Sequence, residues 1–142
     1  MAVQVRSTFK LTGWNANQLK LRVPVILTGY GKVMDQQLKE EIQLVQFPWP
    51  RKTYRKNGTI ETSPRDIVDT GRFLRSQRRD RPSATELRFT WDTPYSALIL
   101  TGYTTSRGTV VPGRNWIKPA LDNQPMERFF AAEWAKLSGN NL

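Results

Sequence analysis

Residues 66–77 read DIVDTGRFLRSQ. Two branched apolar residues, Ile67 and Val68, run into Asp69-Thr70-Gly71, and Phe73 and Leu74 follow. Asp and Thr are favoured helix N-caps because their side-chain oxygens accept the free N–H groups of a first turn. An apolar residue ahead of the cap then packs on one inside the first turn. The stretch predicts a structural corner at Asp69, Thr70 and Gly71: strand-like chain enters, and Thr70 or Asp69 caps a short helix over about 71–77.

Asp-Thr-Gly is also the tripeptide around the catalytic carboxylate of aspartic proteases. That chemistry needs two carboxylates sharing one proton. Here Arg72 follows the glycine, where a crowded dyad needs a small residue. A permanent cation beside the pair would favour the doubly ionised state and spoil the shared proton. The chain has no His and no Cys, which removes most base, nucleophile and zinc chemistry. Only carboxylate, Lys, Ser/Thr or Tyr chemistry is left.

Working outward, AVQVRSTFKL (2–11) alternates, with Val3, Val5, Phe9 and Leu11 on one face, as a half-buried strand does. NANQLKLR (15–22) suits a short helix that Pro24 interrupts. From Pro24, the apolar residues Ile26, Tyr30, Val33, Met34, Leu38, Ile42 and Val45 recur at helical spacing. That predicts a second helix over about 24–46, bent where Gly29 and Gly31 weaken it. TELRFTWDT (85–93) alternates again, with Leu87, Phe89 and Trp91 on one face. Pro94 opens a short helical segment, and residues 104–114 read as a loop or short hairpin. NWIKPAL (115–121) is broken by Pro119. Met126, Phe130, Trp134 and Leu137 mark a C-terminal amphipathic helix ending near Gly139. VILTGY (25–30) and LILTGY (98–103) nearly match, but their flanks differ, so they are no duplication. The 142 residues read as one α+β domain. No apolar run is long enough for a membrane span.

Net charge is +10, and residues 51–81 hold 10 basic and 4 acidic side chains. Part of that excess lies in a projecting basic arm at about 47–65, a hairpin pairing 53–56 with 59–62 around Asn57-Gly58. Trp49, Arg51, Lys52, Tyr54, Arg55 and Lys56 on the arm, and Arg107 on the later loop, are the expected oligomer or partner contacts. Trp49 lies between Pro48 and Pro50, which forbid helix; it either anchors a neighbour or folds back on its own domain. Arg72, Arg75, Arg78, Arg79 and Arg81 form the densest basic cluster, with 72, 75 and 79 sharing a face if the helix continues. Such a face suits an acidic subunit or the phosphates of DNA.

Taken in order, these elements resemble the tail-completion, or neck, proteins of long-tailed bacteriophages. IVDTGRFLRSQ is similar to that family's Val-Asp-Thr-Gly-Arg-Leu-x-x-Ser element, and PYSALILTGY to its Pro-Tyr-Ala…Gly segment. VPGRNWIKPAL is similar to its Pro-x-Arg-Pro-Phe-Leu-x-Pro-Ala-Leu element, with Asn115-Trp116 standing where Pro-Phe is usual. The basic arm is a second departure, since the family's first helix runs almost directly into the corner. The resemblance covers about residues 3–137. It implies a small α+β subunit in a homo-oligomeric ring, a hexamer or dodecamer, at the head–tail junction of the virion, assembled in the host cytoplasm. It implies neighbouring connector and tail proteins as partners, genomic DNA passing through the lumen, no membrane, no catalytic residue, no metal and no cofactor. A tail-terminator ring and a small basic nucleic-acid-binding protein are the alternative readings.

Overall fold

The computed structural model describes residues 3–4 and 16–139. The elements, in chain order, are β1 (Val3–Gln4), α1 (Ala16–Gln43), β2 (Thr53–Tyr54), β3 (Ile60–Glu61), α2 (Arg72–Arg75), β4 (Gln77–Ser83), β5 (Glu86–Trp91), α3 (Ser96–Thr101), β6 (Gly102–Thr104), β7 (Val110–Pro112), α4 (Ile117–Asn123) and α5 (Met126–Gly139). Helices and small antiparallel sheets make an α+β fold, as the sequence predicts. The rest of the strand expected over 3–11 lies outside the described residues.

The N-terminal helix differs from expectation. α1 is one helix with Pro24 in its interior, not two helices meeting there. The ring of Pro24 removes one backbone donor. The carbonyl of Pro24 is well used, accepting from Thr28 Oγ1 at 2.8 Å and from Arg81 Nη1 at 3.0 Å. Burial of Ile26, Leu27, Tyr30, Met34, Leu38 and Ile42 holds the helix on the core. The helix stops at Gln43, so Val45 lies beyond the stripe and is exposed. Gly31 is a close approach: a Cβ there would sit 3.1 Å from both Arg79 Cδ and Leu87 Cδ1. Its missing side chain lets the β4–β5 hairpin lie directly on the helix.

That hairpin belongs to a three-stranded sheet of order β1-β5-β4, with Val3 and Gln77 both opposite Trp91. β5 is central, and its Phe89 and Trp91 are buried. β4 is an edge strand whose pairing is irregular between Asp80 and Ser83, around Pro82, a residue that sheets confine to edges and bulges. Two predicted boundaries change here. α2 ends at Arg75, not Gln77, because residues 77–83 pair with β5. Residues 117–123 form α4 despite Pro119, which sits in the first turn, where a missing N–H is harmless. The Asn115 Oδ1 accepts from the N–H groups of Ile117 and Lys118, both at 3.0 Å.

Trp116 is fully buried at the centre of the core. Phe73 meets it edge-on at 4.9 Å and Trp91 edge-on at 5.1 Å. The Trp91 indole N–H donates to Gln77 Oε1 at 3.2 Å, and Gln77 Nε2 donates to the Asp35 carbonyl at 2.9 Å. A second tie joins α1 to α4: buried Glu41 accepts from Gln37, Gln46 and Asn123 side-chain amides. α5 closes the far end, with Phe130 against Ile26 and Leu27 and with Met126, Trp134 and Leu137 around them.

Tyr30 fixes the α4–α5 junction by donating its hydroxyl to the Gln124 carbonyl at 2.7 Å. Burial pushes that hydroxyl from its ordinary value near 10 up to about 12. The folded chain therefore keeps a proton that the unfolded chain loses, and stability falls as pH rises from 10 towards 12. Tyr30→Phe should cost about 1–3 kcal/mol at neutral pH by orphaning the carbonyl. It should also remove a slope of up to about 1.4 kcal/mol per pH unit in that alkaline window. Urea melts at neutral and alkaline pH check both effects.

Candidate functional site

The arm begins and ends at one bridge. Phe47 and Arg65 exchange backbone hydrogen bonds at 3.1 and 3.0 Å, and the Trp49 N–H donates to Ser63 Oγ at 3.0 Å. Beyond that base the hairpin is shorter than predicted: Thr53 opposes Glu61 and Tyr54 opposes Ile60. Its turn has the Arg55 N–H donating to the Thr59 carbonyl and the Gly58 N–H to the Arg55 carbonyl, with Gly58 at φ +86°. The β6–β7 hairpin repeats this turn at Thr105–Thr109, with Gly108 at φ +81°. A three-residue loop with glycine in the left-handed region suits both.

The predicted contact residues divide. Arg51, Lys52, Tyr54 and Lys56 are exposed on the arm, and Arg107 is exposed in the second turn. Tyr54 and Ile60, being directly opposite, share one face of the arm and are 77% and 56% exposed. Arg55 is buried instead: its Nη2 meets Asp66 Oδ1 at 2.9 Å and its Nε lies 3.6 Å from Glu61 Oε1. It ties the arm to its own domain. Trp49 also folds back. The guanidinium carbons of Arg65 and Arg114 lie 3.4 and 4.3 Å from the centre of its ring.

Arg65 and Arg114, absent from the sequence-based expectation, are each only 6% exposed. Their Nε atoms and that of Arg55 are buried and make no hydrogen bond. Asp66, Asp69 and Glu61 lie within electrostatic reach of Arg65, whose pKa burial and then Arg55 lower. Arg114 makes no ion pair among the described residues; burial, then Arg65, pull it down to about 10. The only signal in the sequence was that Arg114 stands at the arginine of the Pro-x-Arg element in VPGRNW; Arg65 had none.

The Asp-Thr-Gly corner is real, but its chemistry differs from the prediction. Gly71, at φ +79°, occupies the cap position of α2, which has no side-chain cap. Asp69 is exposed and caps nothing, and Thr70 Oγ1 accepts from the Arg72 N–H at a long 3.4 Å. Asp66 takes the turn-forming role, accepting from the Val68 N–H at 3.1 Å. The apolar half of the prediction stands: Ile67 and Phe73 join the core, with Val68 and Leu74 packed on it. A cleft of about 220 Å³ runs along the corner, lined by Lys56, Asp69, Thr70, Arg72, Phe73 and Tyr95 among others.

The basic cluster is not one helical face. Arg72 and Arg75 are on α2, while Arg78, Arg79 and Arg81 are on β4. Arg81 is spent on Pro24, Thr28 and Ala84, and Arg79 lies 4.0 Å from Asp35. Arg75 Nη1 reaches the Thr70 carbonyl at 3.4 Å. On an edge strand, charged side chains also discourage unwanted strand pairing. Among the described residues no group of His, Cys, Asp and Glu is placed to hold a metal, and no helix is long and apolar enough to cross a membrane. No family model, curated protein or solved structure matches the chain.

Gly71→Ala should destabilise the chain by about 1–2 kcal/mol, the cost of a left-handed residue with a Cβ. That Cβ would also lie 2.6 Å from Arg75 Nη1. Asp69→Ala with Thr70→Ala should cost less, about 0.5 kcal/mol, as surface changes do. Thermal melts of both variants check the order.

Proposed function

We propose that the chain is a non-enzymatic structural subunit of a bacteriophage virion. It builds a closed homo-oligomeric ring at the head–tail neck or the top of the tail. The supporting observation is the arm: its base is locked to the domain by Arg55, Trp49 and the Phe47–Arg65 bridge, while its tip presents Tyr54 and Ile60 to solvent. A rigid base with an apolar tip is the form of a contact element, since large exposed side chains on a projection mark interaction surfaces. The ordered motifs that resemble neck proteins support the same reading. Unlike surfaces meeting head to tail close into a ring when the rotation permits. Tail completion, connector and tail terminator are three versions of this role.

The nucleic-acid alternative draws on the basic middle third. Of the five clustered arginines, Arg75, Arg79 and Arg81 have partners within the chain, which leaves Arg72 and Arg78 as the exposed members without one among the described residues. That favours assembly over a phosphate-gripping face.

The test is direct. The purified protein should form rings in negative-stain images. Tyr54→Ser with Ile60→Ser should reduce rings in sedimentation velocity while changing monomer stability by no more than about 0.5 kcal/mol. A wild-type protein that stays monomeric at every concentration and shifts duplex DNA would replace this reading with the alternative.

A further inference from the structure

The unusual feature of this molecule is Arg114, a buried cation with no ion pair among the described residues. A guanidinium removed from water carries a desolvation penalty of several kcal/mol unless an anion and hydrogen bonds offset it. Arg55 has Asp66 and Glu61. Arg65 has three carboxylates within electrostatic range. Arg114 has the Trp49 ring, two neighbouring arginines that oppose its charge, and a buried Nε without a partner. Its backbone is fixed by an N–H donated to the Ile99 carbonyl at 2.8 Å. The side chain is thus placed by the fold and left unneutralised.

We propose that Arg114, Arg65 and Trp49 form a receptor for a carboxylate side chain presented by an acidic partner protein. The paired N–H groups of a guanidinium match the two oxygens of a carboxylate. Trp49 is the least buried of the three and forms the wall beside which the acid enters. Three observations favour a protein acid. The arginines are recessed, so they accept the tip of one side chain, whereas a duplex offers continuous phosphates to a row of open cations. The apolar pair Tyr54 and Ile60 on the adjoining arm suits a protein surface. The basic surplus of the chain, +10, is complementary in charge to an acidic partner. The inference deepens the reading above and rests on it in taking the arm as a contact element. A chain that forms rings yet ignores an acidic probe would overturn this inference alone.

The probe is a fluorescein-labelled hexaglutamate peptide, followed by anisotropy against the full chain at about 0.15 M salt, where loose surface attraction is screened. Arg114→Gln should weaken binding about tenfold, the worth of one charge-assisted pair. Arg78→Gln removes the same charge from an exposed site and should leave binding nearly unchanged. Arg114→Gln should also melt no lower than wild type, because it removes an uncompensated buried charge. Equal loss in both variants, or no binding by wild type, would overturn the proposal. Tighter binding of an oligothymidylate of equal charge through Arg114 would overturn it in favour of a phosphate. Self-association that depends on Arg114 would overturn it in favour of a second copy. If Arg114→Gln does not fold, Arg65→Gln is measured in the same way; failure of both assigns the trio to the fold and overturns the proposal.

Discussion

The fold turns on the edge-to-face contacts of Trp116. This one indole touches Phe73 from the Asp-Thr-Gly corner and Trp91 from the central strand. It sits just ahead of α4, which packs along α1. Aromatic pairs in this geometry add about 0.5–1.5 kcal/mol each beyond the area they bury. More important is their placement: three segments far apart in the chain meet at one point. Moving the corner, the sheet or α4 would break the same cluster. The Trp116 indole N–H is left without a partner, so at this point the core takes shape complementarity over polar satisfaction. Trp91 makes the opposite choice, passing its N–H through Gln77 to α1.

Because the core takes only Phe47 from the arm, the rest of the arm is free to project. What holds it is polar. Arg55 spans from the turn back to Asp66, and Trp49 lies under two arginines. Cation–π contacts of this kind strengthen when desolvated, as here. The same arrangement leaves Arg114 short of an anion, so arm placement and a candidate binding site share one set of side chains. A contact that settles on the trio would stiffen the arm, and a contact at the arm tip would lie next to the trio.

Much of this was legible beforehand. Alternation at Leu87, Phe89 and Trp91 and helical spacing from Ile26 to Ile42 and from Met126 to Leu137 set the elements, because burial follows those periods. The Asn-Gly turn marked the arm. The misses have physical causes. Pro24 was read as a boundary, but packing along α1 outweighed one lost hydrogen bond. The expected helix ran to Gln77, and Arg79 was placed on its continued face, because local pattern cannot reveal that β5 offers residues 77–83 a partner. The cap was assigned to Asp69 and Thr70 on type alone, while Gly71 held the needed conformation. The trio of Trp49, Arg65 and Arg114 was invisible because its members are far apart in sequence and meet only when the arm closes on its base.

The tetrapeptide Leu-Thr-Gly-Tyr shows the division most simply. At 27–30 it lies inside α1, with Gly29 helical and Tyr30 buried to 1% exposure. At 100–103 it ends α3: Gly102 turns to φ +79° and Tyr103 emerges 39% exposed on β6. The sequence by itself determined that both copies carry an apolar residue, a hydroxyl, a flexible glycine and an aromatic ring. Tertiary structure decided their use. Around the first copy a long apolar stripe keeps the helix on the core, and at the second the pairing of β6 with β7 draws the backbone out of the helix. Glycine permits either path, and the non-local partner selects between them.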